Sequence, residues 1–218
     1  MNKRQLCREL AFIVLSVLTI VSVNSLSSVV SAEAPEMNFR DDFASTSLRP
    51  EWDVVDQDIK RWELVDNDYL LLVIKDEKNK FCYRYEVPDR YEFMLKTLVT
   101  DLDYGDNFYI SIDNADNDGI KMIISSGILT FKKTLGDDKA QTLKQATNVS
   151  DKGADYYMKI QKTGIEYIGY VSRDGNRWTE VGKYYFPKFV GSPCFGGLST
   201  TRGEKAVKVD FVELKALR

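Results

Sequence analysis

The sequence predicts an all-β protein, an antiparallel jelly-roll β-sandwich, and three observations carry that prediction. Tyr156, Met158 and Ile160 alternate with Tyr157, Lys159 and Gln161, the period of two expected of a half-buried strand. Glycine turns punctuate the same stretch: Lys162-Thr163-Gly164, and then Asp174-Gly175, a pair suited to a type I′ hairpin because that turn needs positive φ at both central positions. The composition agrees, with 44% hydrophobic and 12% aromatic residues and 13 glycines in 218 residues, favouring strands over helices and sufficing for one sizeable core. A turn centred on Asp174-Gly175 sets Val171 opposite Trp178 and Ile168 opposite Val181. A three-residue loop with a glycine bulge shifts that register by one, and both remain open.

Taken in order, residues 1–32 read as an export signal. Lys3, Arg4 and Arg8 make a basic start, and Leu10 to Val23 is an apolar run shorter than the roughly 20 residues of a spanning helix. Val30-Ser31-Ala32 offers small residues for cleavage after Ala32, with Ala32-Glu33-Ala34 as a second choice; an uncleaved anchor is the competing reading. Residues 33–36 form a short linker and 37–218 a single sandwich domain, secreted or held in the periplasm or cell envelope, with no membrane insertion after signal removal.

Within the domain, Glu63 to Asp66 and Tyr69 to Lys75 make a hairpin about an Asp-Asn-Asp turn. Lys80 to Glu86 is a strand ended by Val87-Pro88. Arg90 to Thr100 is the longest run, with Tyr91, Phe93 and Leu95 on one face. Phe108 to Ile112 and Ile120 to Ser125 flank an Asn-Asp-Gly turn, and Ser126-Gly127 leads into Ile128 to Lys133. Gly136 to Ser150 is polar, with a helical turn expected around Gln141 to Ala146. Val207 to Leu214 is the closing strand.

The formal charge is −3; leaving out residues 1–32, which carry three basic and one acidic side chain, the balance is 27 basic against 32 acidic. The basic residues are scattered among acids, which argues against nucleic acid as a partner. Histidine is absent, which removes the commonest general base, the serine and cysteine triads and most zinc sites. Export makes a Cys82–Cys194 disulfide and two half-buried thiols the competing readings of those cysteines. Asn148-Val149-Ser150 fits a glycosylation sequon.

The pattern Y-x-x-x-x-S-x-D-G-x-x-W-T-x-V-G from Tyr167 to Gly182 resembles a hairpin of concanavalin A-like sandwich domains. The nearest likenesses are the sandwich appended to family 43 glycosidases and a related domain of secreted bacterial proteins. Phe39-Arg40-Asp41-Asp42-Phe43, Leu48, Trp52, Trp62-Glu63-Leu64 and Leu70-Leu71-Leu72 resemble their opening strands, and Val207 to Leu214 their last. The S-x-D-G-x-x-W core also resembles a shortened sialidase Asp-box, a structural turn.

The resemblance implies a non-catalytic module that binds carbohydrate. A glycoside-acting enzyme with Asp/Glu pairs and an envelope structural or protein-interaction domain are the alternatives. For binding, Phe81, Tyr83 and Tyr85 occupy alternate positions, and Trp62, Tyr104 and Tyr109 are candidate members of the same stacking platform; core packing competes for the strand trio. Trp178 is expected in the core or hairpin. For catalysis, Asp101-Leu102-Asp103-Tyr104-Gly105-Asp106 resembles the E-x-D-x-x-E of sandwich glucanases, whose two carboxylates must lie side by side, with aspartates in place of both glutamates. A solvated strand end is the alternative. No organic cofactor is implied. Related domains hold a structural calcium, and Asp41, Asp42 and Asp210 are its candidate oxygen ligands if the first and last strands lie together. Asn114 to Gly119 resembles the start of a calcium loop, but Ser125 stands where the bidentate glutamate belongs, favouring a hairpin turn.

Overall fold

The computed structural model describes residues 37–75, 79–99, 102–103, 105–116, 118–136, 141–146, 155–199 and 205–218. The expected signal and linker, Asp101, Tyr104 and the sequon lie outside the described residues. Those residues form fifteen strands and no helix, arranged as two antiparallel sheets packed face to face.

One sheet has eight strands. Its spine is β15 (Lys205–Ala216), the longest strand. On one side β15 pairs with β6 (Arg90–Val99); on the other it pairs first with β4 (Tyr69–Ile74) and then with β1 (Asn38–Asp41). Beyond β4 lies β3 (Trp62–Val65), and beyond β6 lie β11 (Asp155–Thr163), β12 (Glu166–Ser172) and β13 (Thr179–Tyr185). The second sheet runs β10 (Gln141–Ala146), β9 (Ile128–Thr134), β8 (Gly119–Ser125), β7 (Asp106–Asp113), β14 (Ser192–Ser199), β5 (Lys80–Tyr83), β2 (Trp52–Val55).

Alternation decides which face of each strand is buried. Tyr156, Met158 and Ile160 of β11 meet Phe93 and Leu95 of β6 and Val212 and Leu214 of β15 in one layer. Phe108, Ile110 and Ile112 of β7 with Ile120, Met122 and Ile124 of β8 form the facing layer. In β15 the apolar positions fall at Val207 and Val209 and then at Val212 and Leu214. The extra residue is a bulge between Val209 and Phe211 that restores the pattern after Asp210. Gly169 and Gly182 lie opposite each other under the facing sheet, and a Cβ on either would stand 2.9 or 2.8 Å from the Phe131 ring.

The hairpin after β12 takes the shifted register: Val171 pairs with Thr179, and a further irregularity follows Gly169. Its turn is held by side chains. Ser172 Oγ accepts from the Asp174 and Gly175 amides, and Asp174 Oδ1 accepts from the Asn176 and Arg177 amides at 2.8 Å. Those two amides hold the Asp174 carboxyl below its usual range. The Asp-box likeness is therefore one of turn chemistry.

One expectation is corrected. Gln141 to Ala146 is a strand, not a helical turn: it pairs with β9 from Gln141↔Lys133 to Ala146↔Leu129. Its helix-forming residues are overridden by pairing with a sheet edge. Of the two places expected for Trp178, core or hairpin, the structure takes the hairpin between β12 and β13. Trp178 stands outside the eight-stranded sheet, edge-on to Tyr157 at 6.5 Å, with Lys159 Nζ 4.4 Å from its ring centroid. Lys159 also covers Tyr170, and Arg40 lies 3.7 Å over Phe211, so these outer rings are capped by cations.

Candidate functional site

The strand trio divides at the end of β5. Phe81 and Tyr83 point inward: Phe81 stacks on Phe195 with centroids 5.0 Å apart, and Tyr83 packs on Phe39 at 5.0 Å and Trp52 at 6.3 Å. The strand stops at Tyr83, and Tyr85, two residues on, stands 52% exposed. Its ring meets the Tyr83 ring edge-on at 5.9 Å, so a buried aromatic buttresses an exposed one.

Tyr85 borders a cleft of about 470 Å³, within the size range of small-ligand sites. Three segments wall it: Arg84–Val87 after β5, Asp113–Ala115 at the end of β7, and Val190–Ser192 leading into β14. The sheet register brings them together, because Ser192 pairs with Asp113, Cys194 with Ser111, and Cys194 with Cys82. Cys82 and Cys194 are joined by a disulfide; of the two readings of these cysteines, the structure takes the bridge. Arg84 donates from Nε and Nη2 to Asp53 Oδ1 at 2.9 and 2.5 Å, which orients its guanidinium along the wall.

The Asp113 side chain is only 1% exposed. Its Oδ2 accepts from Ser111 Oγ at 2.8 Å and pairs with Lys80 Nζ at 2.8 Å and Lys121 Nζ at 3.5 Å. Oδ1 has no hydrogen-bond partner among the described residues, and a Cβ on Gly119 would fall 2.1 Å from it; glycine is needed there to leave room for the carboxylate. Asn114 is a turn former: its Oδ1 accepts from the Asp116 and Asp118 amides at 2.9 Å. Asp118 Oδ1 in turn accepts from the Gly136 amide at 2.8 Å. These oxygens are engaged by backbone, as the hairpin reading of Asn114 to Gly119 expects; Asn117 lies outside the described residues.

The proposed platform is not assembled. Trp62 sits half-buried at a sheet edge, edge-on to Phe81 at 5.8 Å, and lines a separate cleft of about 260 Å³ with Ile59, Leu71 and Val73. Tyr109 is 4% exposed on the outer side of β7, with Lys121 Nζ 5.0 Å from its centroid and its hydroxyl close against Gly196. Tyr83 belongs to the core, and Tyr104 lies outside the described residues. Of the described members, Tyr85 alone presents an open ring at the larger cleft.

The three aspartates considered for calcium are not brought together. β1 does pair with β15, Asp41 opposite Val212, but Asp41 points inward, where Oδ2 accepts from Trp52 Nε1 at 2.7 Å and Oδ1 from the Phe43 amide at 2.9 Å. Asp42 faces solvent. Asp210, at the bulge, faces outward between Lys96 at 2.5 Å and Lys208 at 3.2 Å, and holds the Lys96 ammonium above its ordinary range. Among the described residues no group of three or more Cys, Asp or Glu side chains is arranged for a metal ion. Asp41 thus locks the first strand to Trp52. Asp41→Asn, which keeps only one oxygen for two donors, is expected to destabilise the domain by about 1 to 3 kcal/mol, read as a lowered urea midpoint.

Of the two aspartates that stand at the positions of the paired glutamates, Asp101 lies outside the described residues and Asp106 is described. Asp106 is fully buried, accepting from Ser199 Oγ at 2.5 Å and the Asp103 amide at 3.0 Å. Asp103 precedes the strand and pairs with Lys205 at 2.9 Å. The cleft residues that sequence reasoning missed include Arg84, Glu86, Val190 and Ser192; the signal that could have found them is the cysteine pair, which sets residues just beyond Cys82 beside those just before Cys194.

No family model matches the chain, and no curated protein sequence matches it. Solved structures do. A GH43 protein, BlXynB, from Bacillus licheniformis superposes with a TM-score of 0.71 at 18% identity, over 82% of this chain and 39% of that one. A xylan β-1,4-xylosidase from Bacillus halodurans gives 0.69 at 14% identity, over 81% and 38%. A structure described with endo-acting O-glycanases of the human gut microbiota that initiate mucin breakdown gives 0.62 at 17% identity, over 83% and 99%. The chain therefore spans about two fifths of the first two proteins. At these identities the likeness is one of fold, and the fold is the concanavalin A-like sandwich that the sequence resembles.

Proposed function

We propose that the chain is an exported carbohydrate-binding sandwich that captures a glycan in the Tyr85 cleft without cleaving it. The observation that carries this reading is the Tyr85 ring, held out from the core by Tyr83 beside Arg84, Glu86, Asn114 and Ser192. A sugar ring has an apolar C–H face and a rim of hydroxyls, so one open aromatic flanked by donors and acceptors suits it. The fold is shared with glycan-acting proteins, which supports a saccharide as ligand. Binding is favoured over cleavage because hydrolysis needs two working carboxyls. Here Asp113 is sealed beneath Lys80 and Lys121, leaving Glu86 as the open carboxylate of the cleft. Export is supported by the basic start and apolar run of residues 1–32 and by the Cys82–Cys194 bridge, since disulfides persist in oxidising compartments.

The test is calorimetric titration of the protein with xylan, xyloglucan and mucin glycans while reducing-end release is followed. Saturable binding without release is expected, and Tyr85→Ala is expected to weaken it about tenfold, near 1.4 kcal/mol. Release of reducing ends would replace the binding reading with an enzymatic one. Affinity untouched by Tyr85→Ala would move the site away from the cleft.

A further inference from the structure

We propose that the Cys82–Cys194 bridge is the latch that positions the cleft, so that ligand capture depends on its redox state. The ligand in this inference rests on the carbohydrate reading; the mechanics do not.

The junction it crosses is short. β14 meets β7 along eight residue pairs, from Ser192↔Asp113 to Ser199↔Asp106, but meets β5 along two, Cys194↔Cys82 and Phe195↔Phe81. β5 is otherwise bound to β2, which is the end strand of the sheet. β2 and β5 therefore join the rest of their sheet as a two-stranded flap. Arg84 does not tie that flap down, because its partners Asp53 and Glu51 belong to the flap side.

The bridge lies where the cleft needs it. Arg84 follows Cys82 by two residues, and Ser192 precedes Cys194 by two; these begin and end two of the three walls. The third wall, at Asp113, is already in register with Ser192. Closing the bridge thus holds the Tyr85 wall against the other two. Behind it, Phe81 and Phe195 stay stacked in the core, and the Lys80–Asp113 ion pair crosses the same junction. With the bridge open, these contacts keep the strand anchored while residues 84–87 lose their restraint.

The chemistry also has a direction. Cys194 is buried, whereas Cys82 is half-buried. A dithiol reductant attacks Cys82 Sγ through its thiolate, and Cys194 leaves as a thiolate that takes up a proton. The second thiol of the reductant then displaces Cys82 from the mixed disulfide. Two electrons and two protons reach the cysteine pair, and the dithiol closes to a cyclic disulfide.

The test is hydrogen exchange on the full chain, oxidised and after dithiothreitol, read by mass spectrometry, with glycan titration of the same samples. Reduction is expected to speed exchange in residues 84–87 at least tenfold, read at labelling times too short for global unfolding to expose β7, β8 and β11 in either state, and to weaken glycan binding at least tenfold. The single variant Cys82→Ala should behave as the reduced protein does. Unchanged exchange at 84–87, or loss of protection throughout the domain, would overturn the latch, since a bridge that only staples the fold would act everywhere or on stability alone. Absence of glycan binding by the oxidised protein would sink the carbohydrate reading, while the exchange pattern would still decide the latch.

Discussion

Removal of the bridge by Cys82→Ala with Cys194→Ala is expected to lower the unfolding free energy by about 4 to 5 kcal/mol. The bridge spans 112 residues, and closing a loop of that size takes roughly this much entropy from the unfolded chain. The effect is separate from cleft positioning: it acts on the unfolded ensemble, whereas the latch acts on the folded one. Domains of this size have stabilities of about 5 to 15 kcal/mol, so the unbridged protein is expected to remain folded at room temperature with a much lower urea midpoint. A change below about 1 kcal/mol would show that the unfolded chain is already constrained without the bridge.

Phe195→Ala is expected to cost about 3 to 5 kcal/mol. Phe195 is fully buried beside Cys194 and sits at the centre of the aromatic cluster. Phe81 stacks on it at 5.0 Å, Trp52 meets it edge-on at 5.3 Å, and Phe43 at 6.5 Å. These partners come from the start of the domain, from β2 and from β5, so one ring joins three segments to β14. Truncation leaves a cavity between the sheets that rigid neighbours fill only in part. Phe195→Leu, which refills part of the volume, should recover a substantial share of the loss in the same urea titration. A loss under 1 kcal/mol would mean that the cluster collapses onto the gap.

The fold was legible because its signals are local and repeated. The alternation in β11 and the glycine turns identify strands, and the spacing Val207, Val209, Val212, Leu214 carries even the bulge of the last strand. Gln141–Ala146 was not legible, since helix-forming residues pair with an edge only when tertiary structure supplies one. The site was harder for a different reason. Phe81, Tyr83 and Tyr85 share one parity, but period alone does not say where a strand ends, and its end at Tyr83 is what frees Tyr85. Adjacent first and last strands were also expected, and Asn38 does pair with Lys215. That pairing does not fix which face Asp41 and Asp210 take, and the bulge sends Asp210 outward.

β15 has a consequence for how the protein comes to be folded. It is the last strand in the sequence, yet it lies inside its sheet, flanked by β6 on one side and by β4 and β1 on the other. β1 can pair only with a segment synthesised some 170 residues later, and β4 and β6 each lack a neighbour until that segment arrives. Such distant pairing makes for high contact order and slow folding. The eight-stranded sheet cannot close until β15 has been made, so edges that end up paired stand open until then. Over that interval those unpaired edges are open to pairing with neighbouring chains.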